Sequence, residues 1–234
     1  MNRKMILNMA AGACVLLPTT FLRAETNDEP ATIRLSHGVL RYDMVTLEDD
    51  DGTTTDKTEA SGFTTFPSGI EIAAFAKGYA VYAYPVNQGF SVLAGKAIGT
   101  NQEAGLSATL NTRNVKDGDE TSNNSIGAYY FYSRALSPKV TFEFDINPAL
   151  IMDSEKSTSG GPTPTTQEAD GSGYSLYFDL LGVVPLAKNF EYVFGIDYNY
   201  RKVETKVKSG GTSNTEKSTD SGLGLILAKF RYLI

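Results

Sequence analysis

The stretch from Phe190 to Arg201 reads F-E-Y-V-F-G-I-D-Y-N-Y-R. Every second residue from Phe190 to Tyr200 is aromatic or aliphatic, whereas the residues between them are mostly polar. Side chains alternate between the two faces of a β-strand, so this stretch predicts a strand with one apolar face and one polar face. Such an apolar face packs against a core in a soluble β-sandwich, or contacts lipid in a closed membrane barrel.

The N-terminus predicts a secretory signal peptide. Two basic residues precede an apolar run over residues 5–17, and Ala24 stands where cleavage is expected. The run is shorter than the ~20 residues that a spanning helix needs, which argues against a membrane anchor. We therefore expect an exported chain with a signal peptide over residues 1–24 and one outer-membrane β-barrel domain over residues 25–234.

Composition excludes several classes of function. The only cysteine, Cys14, lies within the apolar run, and Ala11 stands where a lipoprotein signal would carry leucine. The mature chain would then contain no disulfide and no reactive thiol. Cleavage also removes three basic residues and leaves 18 basic against 27 acidic side chains, a formal charge of −9. A nucleic-acid partner would require a basic patch, so none is expected.

Two kinds of connection separate the alternating stretches. Long polar connections rich in Gly, Ser, Thr, Asp and Asn occupy residues 48–62, 114–124, 153–173 and 207–221. Short connections with turn-forming residues occupy residues 85–89, 137–139 and 187–189. Long and short connections alternate, which is typical of outer-membrane barrels with long outer loops and short periplasmic turns. We expect the long segments to be surface loops that cannot order themselves.

This pattern predicts an all-β fold, an eight-stranded antiparallel up-and-down transmembrane β-barrel. The predicted strands occupy residues 32–47, 63–84, 90–113, 125–136, 139–152, 174–186, 190–206 and 222–234. The second and third exceed the ~9–11 residues that cross a bilayer. Hairpins at Lys77-Gly78 and Thr100-Asn101 would instead give ten strands. Eight is preferred because the piece from Tyr79 to Tyr84 would be too short to span.

Two stretches resemble small bacterial outer-membrane β-barrels of the outer-membrane-protein-A-like or opacity-like class. One is the strand–turn–strand segment G-Y-A-V-Y-A-Y-P…F-S-V-L-A-G-K over residues 78–96. The other is the C-terminus A-K-F-R-Y-L-I over residues 228–234, with apolar or aromatic residues at the last, third-last and fifth-last positions. The resemblance implies a bacterial outer-membrane location. It also implies contact with outer-membrane lipids, lipopolysaccharide and the barrel insertion machinery.

Strand alternation assigns the two faces of the predicted barrel. The lumen-lining candidates are Arg41, Asp43, Glu143, Asp145, Asp179, Glu191, Asp197, Arg201, Lys229 and Arg231. The lipid-facing candidates are Phe142, Phe144, Phe190, Tyr192, Phe194, Ile196, Tyr198, Phe230, Tyr232 and Ile234. In the first strand Val39 is predicted to share the face of Arg41, whereas residues 128–132 carry aromatics on both faces and have no predicted orientation. Because buried charges must be paired, we expect a salt-bridged plug; the alternative is a narrow polar path.

No catalytic or metal site is expected. The hydrolases among the barrels that the chain resembles rely on histidine, and a serine nucleophile needs a base within hydrogen-bond reach. The only histidine, His37, is predicted at the periplasmic rim, and one histidine without cysteine does not form a zinc site. The acidic run over residues 48–52 does not match a calcium loop, because Leu47 and Thr58 would hold its first and twelfth positions.

The sequence therefore predicts a non-enzymatic, cofactor-free barrel with a structural or surface-interaction role, similar to adhesion. The ligand at the surface is not identified by any motif. Two alternatives stay open at this point. One is a small porin-like pore for ions or solutes, and the other is a soluble periplasmic all-β binding protein.

Overall fold

The computed structural model describes residues 32–64, 71–86, 89–114, 120–159, 165–209 and 211–234. They form one antiparallel sheet of eleven strands. In chain order the strands are β1 (Thr32–Asp50), β2 (Thr55–Thr64), β3 (Glu71–Ala76), β4 (Tyr79–Val86), β5 (Gly89–Gly99), β6 (Gln102–Asn114), β7 (Glu120–Ser137), β8 (Val140–Ser159), β9 (Thr165–Ala187), β10 (Phe190–Ser209) and β11 (Thr212–Leu233). Within these ranges no helix has the length and apolar character needed to cross a membrane. The expected signal peptide lies outside the described residues.

The sheet closes into a barrel through β1. One edge of β1 pairs with β11, and its other edge pairs with β3 over residues 32–36 and with β2 over residues 41–50. Because β2 and β3 share one position beside β1, the eleven strands occupy ten positions around the ring. The all-β, antiparallel, up-and-down expectation is confirmed, but the count of eight strands is wrong.

The additional strands arise because two tight turns interrupt the long predicted strands two and three. Lys77 and Gly78 have φ angles of 53° and 77° and join Ala76 to Tyr79. Positive φ at both central residues matches the twist of a two-residue β-hairpin. A second turn lies at Thr100 and Asn101, as the alternative with ten strands requires. β4 is short, yet its neighbours β3 and β5 pair with it on both sides.

These turns define the two ends of the barrel. The lower end carries the turns at residues 77–78, 100–101, 138–139 and 188–189. The upper end is the opposite one, where Val86 pairs with Gly89. The connection over residues 85–89 was expected among the short periplasmic turns. It belongs instead to the end that carries the connections expected to be long.

Most of the expected long loops are strand. β8 continues to Ser159 and β9 begins at Thr165, while β10 and β11 pair without interruption from Tyr200 up to Ser209 and Thr212. Likewise, only residues 51–54 separate β1 from β2. The expectation of unstructured surface loops is therefore wrong for these segments. Above the apolar zone both faces of a strand are polar, so pairing continues without the alternation that reveals it in the sequence.

The strands are strongly staggered around the ring. Directly opposed residues trace one path from Arg34 through the ring back to Leu47: Arg34, Ala73, Tyr82, Leu93, Ser107, Gly127, Ala149, Ser175, Arg201, Asp220 and Leu47. The path returns to β1 thirteen residues above its start, because 47 − 34 = 13. With ten positions this stagger corresponds to a strand tilt of about 40°, a common value for barrels.

The stagger of thirteen residues is odd, so the inward-facing residues of β1 must change from even to odd numbers. A β-bulge in β1 makes this change. Register shifts occur on both sides of Leu40 in β1, and both Val39 and Leu40 are exposed, at 42% and 36%. Gly38 below the bulge and Arg41 above it are both buried. The expectation that Val39 shares the face of Arg41 is therefore wrong, because the extra residue changes the phase of alternation.

The outer wall is apolar through the middle of the barrel. Exposed large side chains form an apolar belt that includes Ile33, Ile72, Val81, Phe90, Leu106, Leu110, Ile126, Leu150, Tyr174, Phe194, Leu223 and Tyr232. Aromatic pairs on β9, β10 and β11 add to it, such as Phe190 with Phe230 at 5.4 Å and Phe178 with Tyr198 at 5.3 Å between ring centroids. An apolar outer belt around a closed ring of strands defines a transmembrane β-barrel.

Candidate functional site in the barrel interior

Large side chains fill the lower interior. Those with less than 2% exposure are Arg34, Arg231, Tyr82, Phe75, Phe131, Lys229, Leu93, Leu181, Glu71, Glu103 and Val193. They come from nine strands of the ring, so they meet across the lumen rather than along one wall. Ten-position barrels have a narrow interior, which side chains of this size occupy.

Arg231 of β11 forms the most complete ion pair of this interior. Its Nη1 and Nη2 donate to the two carboxylate oxygens of Glu143 on β8 at 3.1 and 2.6 Å. Nη1 also lies 3.6 Å from a carboxylate oxygen of Glu191. The bidentate geometry matches the planar guanidinium to the planar carboxylate, which is the strongest form of this pair.

Glu71 of β3 receives two cations from neighbouring strands. Nη2 of Arg34 donates to Oε1 at 3.0 Å, and Nζ of Lys229 donates to Oε2 at 3.4 Å. All three side chains are buried to within 2%. Arg34 also lies near the rings of Phe75 and Tyr82, with centroid distances of 5.7 and 6.0 Å. This cluster joins β1, β3 and β11 across the seam where the barrel closes.

Arg41 forms a third cluster higher in the lumen. It donates from Nη2 to Asp197 at 2.8 Å and from Nε to Asp43. Asp197 in turn is directly opposite Asp179, and Asp179 is directly opposite Asp145. These three aspartates are fully buried and form a carboxylate row across β8, β9 and β10. This row contributes three of the acidic groups by which the lumen exceeds its basic groups.

A hydrogen-bonded trio that the sequence did not predict lies on the opposite wall. The hydroxyls of Tyr82 and Tyr129 both donate to Glu103, with Tyr82 at 3.1 Å from each carboxylate oxygen. Gly95 and Gly105 provide the space for Tyr129, since a Cβ on either would lie within 2.6 Å of its side chain. The trio orients β7, with Tyr129 and Phe131 facing inward. The available signal was the pair of glycines at the same register as Tyr129.

A further cluster lies in the upper part of the described lumen. Nη2 of Arg201 donates to Asp153, and its Nη1 lies 3.5 Å from Asp220. Asp220 also accepts from the hydroxyl of Ser218 at 3.4 Å. Asp153 and Asp220 were missed because they lie in segments expected to be loops. Their inward orientation follows only once β8 and β11 are extended past those boundaries.

The predicted site residues divide between the two faces as follows. The structure buries Arg41, Glu143, Asp145, Asp179, Asp197, Lys229 and Arg231, and half-buries Asp43, Glu191 and Arg201. On the outer face, Phe194, Tyr232 and Ile234 are exposed by 41%, 50% and 65%, and the remaining lipid-facing candidates are half-exposed. His37 is exposed on β1 opposite Phe230. It lies apart from the inner clusters, so none of them combines a nucleophile with a histidine base.

The interior offers charge pairs rather than ligand sets. Within the described ranges no group of three or more His, Cys, Asp or Glu residues is arranged to hold a metal ion. The cations of the lower lumen form ion pairs with carboxylates. These ion pairs join strands across the lumen.

Comparison with known proteins finds structural likeness alone. No family model and no curated protein matches the chain. The chain is similar to small outer-membrane β-barrels of known structure. The outer membrane protease OmpT from Escherichia coli shares 11% identity, with 92% of this chain and 99% of that chain covered and a TM-score of 0.44.

Two further barrels have comparable coverage. Ail, the attachment invasion locus protein of Yersinia pestis, shares 12% identity over 87% of this chain and all of that chain, with a TM-score of 0.30. Neisserial surface protein A shares 13% identity over 85% of this chain and all of that chain, with a TM-score of 0.24.

Proposed function

We propose that the protein is a non-enzymatic barrel of the bacterial outer membrane that closes its own lumen and binds partners outside the membrane. The observation that carries this proposal is the combination of a filled lower lumen with strands that continue above the apolar belt. β8, β9, β10 and β11 have 20, 23, 20 and 22 residues, about twice the ~9–11 that cross a bilayer. Such a barrel serves as a rigid support for hairpins that reach the exterior.

The same proposal assigns the surroundings of the barrel. Its apolar belt contacts outer-membrane lipids, and the polar hairpins above it lie among lipopolysaccharide and surface ligands. Export by a cleaved signal peptide and assembly by the barrel insertion machinery belong to this proposal. Carbonate and high-salt extraction tests it, since a membrane barrel stays in the pellet. Recovery of the mature protein in the osmotic-shock fraction would favour the soluble periplasmic alternative.

Conductance separates this function from the pore alternative. We expect purified protein in planar bilayers to show no steady conductance, because paired side chains from opposite walls occupy the lumen. A small pore predicts steady conductance that changes when Glu143, Asp145 or Arg201 is neutralised. Such a result would replace the surface role with transport.

The surface role itself is tested by shortening hairpins at a paired position. Glu155 and Ala169 are directly opposite, so residues 156–168 can be replaced by an Asn-Gly turn. The variant is expected to fold and to retain heat-modifiable migration on detergent gels, because the lower ladder and interior are unchanged. Loss of surface binding with retained folding would support the proposal. Unchanged binding by every hairpin-shortened variant would refute it.

A further inference from the structure

One strand of the barrel, β2, has an edge that pairs with no other described strand. Among the described residues β2 pairs with β1 alone, along Thr55 to Thr64. Every residue of β2 is exposed except Gly62, which is half-exposed. Along these ten residues the backbone groups of alternate residues are directed away from β1, where no described strand pairs with them. A row of such donors and acceptors is complementary to another extended chain.

No described residue pairs with β2 on this side of the ring. The positions that follow β2 around the barrel belong to β4 and β5, whose described parts end at Val86 and begin at Gly89. β4 is paired with β3 and not with β2. Beyond them, Thr112 to Asn114 of β6 pair only with β7. The described wall is therefore lower between β2 and β6 than on the side of β8 to β11.

The charges next to the free edge are unbalanced. Asp49 of β1 and Asp56 of β2 are directly opposite each other, an arrangement that destabilises a strand pair. Within the described part of the chain neither carboxylate forms an ion pair. The nearest inward cation, Arg201, is already engaged by Asp153 and Asp220. A basic side chain from outside would relieve this repulsion.

The opposite face of β2 does not have this imbalance. Lys57 and Glu59 lie on its outer face, where Nζ of Lys57 is 2.7 Å from the carboxylate of Glu59. A strand added beside β2 would place alternate side chains on the two faces. Basic residues are therefore favoured only at the positions that face inward.

We propose that the free edge of β2 binds an extended segment of a partner protein that carries basic residues at the inward-facing positions next to Asp49 and Asp56. This inference rests on the proposed surface role and names the kind of partner. Backbone hydrogen bonds to β2 supply the docking, and Asp49 and Asp56 select the charge of the inward-facing residues.

The test uses the full barrel in liposomes and fluorescent peptides of the sequence K-T-K-T-V-T-K-T-K-T. Two further peptides carry N-methyl groups either on all odd or on all even amides, so that each blocks one edge of the peptide. Strand addition predicts that one methylated peptide binds as the parent does, whereas the other loses at least tenfold in affinity. Equal binding of both methylated peptides would show charge attraction without a strand and would overturn the proposal.

Variants test the charge selection. Asp49→Asn with Asp56→Asn is expected to weaken the parent peptide at least tenfold. The matched control, Asp170→Asn with Glu204→Gln, removes two charges from the outer face and should leave binding unchanged. If the first variant binds like wild type, the assignment of basic partners is wrong. Steady conductance in planar bilayers would refute the proposed function while leaving these binding results to decide the inference separately.

Discussion

Gly224 of β11 lies directly beneath the guanidinium of Arg41 on the neighbouring strand β1. A Cβ at residue 224 would stand 2.5 Å from Nη2 and 2.6 Å from Cζ of Arg41. Arg41 crosses this glycine to reach Asp197 at 2.8 Å. The pair between β1 and β10 therefore depends on the missing side chain between them.

We expect Gly224→Ala to destabilise the barrel by about 1–3 kcal/mol, because the methyl group displaces a buried guanidinium from its carboxylates. Urea unfolding in lipid vesicles, followed by circular dichroism, measures this change. Gly62→Ala is the matched control, since a Cβ there meets nothing within 4 Å. Equal stability of the two variants would contradict the described position of Arg41.

Arg231→Met is expected to cost about 3–5 kcal/mol, because it leaves the buried carboxylate of Glu143 without its bidentate partner. The double variant Arg231→Met with Glu143→Leu should lose much less stability, since both charges are then removed. Unfolding free energies of the two single variants and the double variant form the cycle. Additive losses would mean that the two side chains do not interact.

Phe194→Arg is expected to reduce the free energy of folding into bilayers by about 2–4 kcal/mol, because it places a charge on the lipid face. Phe194 is 41% exposed and packs over Gly182, whereas the adjacent Val193 is fully buried. Val193→Arg should act through interior packing and respond less to bilayer thickness. Folding yields in vesicles of two lipid lengths distinguish them. Wild-type folding of Phe194→Arg would reverse the assignment of the two faces.

The stability of the turn between β1 and β2 should depend on pH through the carboxylate of Asp51. The Thr53 hydroxyl and the amides of Thr54 and Thr53 donate to this carboxylate and lower the pKa of Asp51 to about 2. The ordinary aspartate pKa is about 3.9, so the contribution is complete above that pH and is lost as pH falls through 2. A ¹³C carboxyl titration should give a midpoint near 2. Thr53→Ala with Thr54→Ala should raise it, and an unchanged midpoint would exclude these hydrogen bonds as the cause.

The sequence predicts the fold best where one face meets the apolar belt. In β10 the alternation from Phe190 to Arg201 agrees with the structure, where Val193 and Asp197 are fully buried and Phe194 is exposed. No bulge interrupts the pairing of this stretch with β9 beyond its first residues. An unbroken strand between lipid and a packed lumen keeps a period of 2, so the pattern alone identifies it.

The sequence does not predict strands where the contrast between an apolar outer face and a polar inner face disappears. The segments around Lys208 and Ser213 pair as strand, yet their surroundings are polar on both faces, so composition indicated loops. The hairpin at Lys77 and Gly78 was recognised only as an alternative, because β3 and β4 are shorter than a strand needs to cross a bilayer alone. Their length is set by partners on either side, which a linear pattern does not contain.

The sequence predicted many of the residues that face the interior, but it did not predict which of them form ion pairs with one another. Alternation identified Arg231 and Glu143 as residues of one face, and their separation of 88 positions gave no sign that they meet. Asp153 was missed because its strand was expected to end before it. Ion-pair partners depend on the stagger of the ring, and the bulge at Leu40 contributes to that stagger without any sequence signal.

The bulge at Leu40 also restricts how the barrel is completed during assembly. Below it the inward residues of β1 have even numbers, and above it they have odd numbers. A slip of β1 by one residue against β11 would turn Arg41 outward, and a slip of two would carry the irregularity away from its counterpart at Leu227 and Ala228. The bulge thus specifies the alignment at which the first and last strands pair.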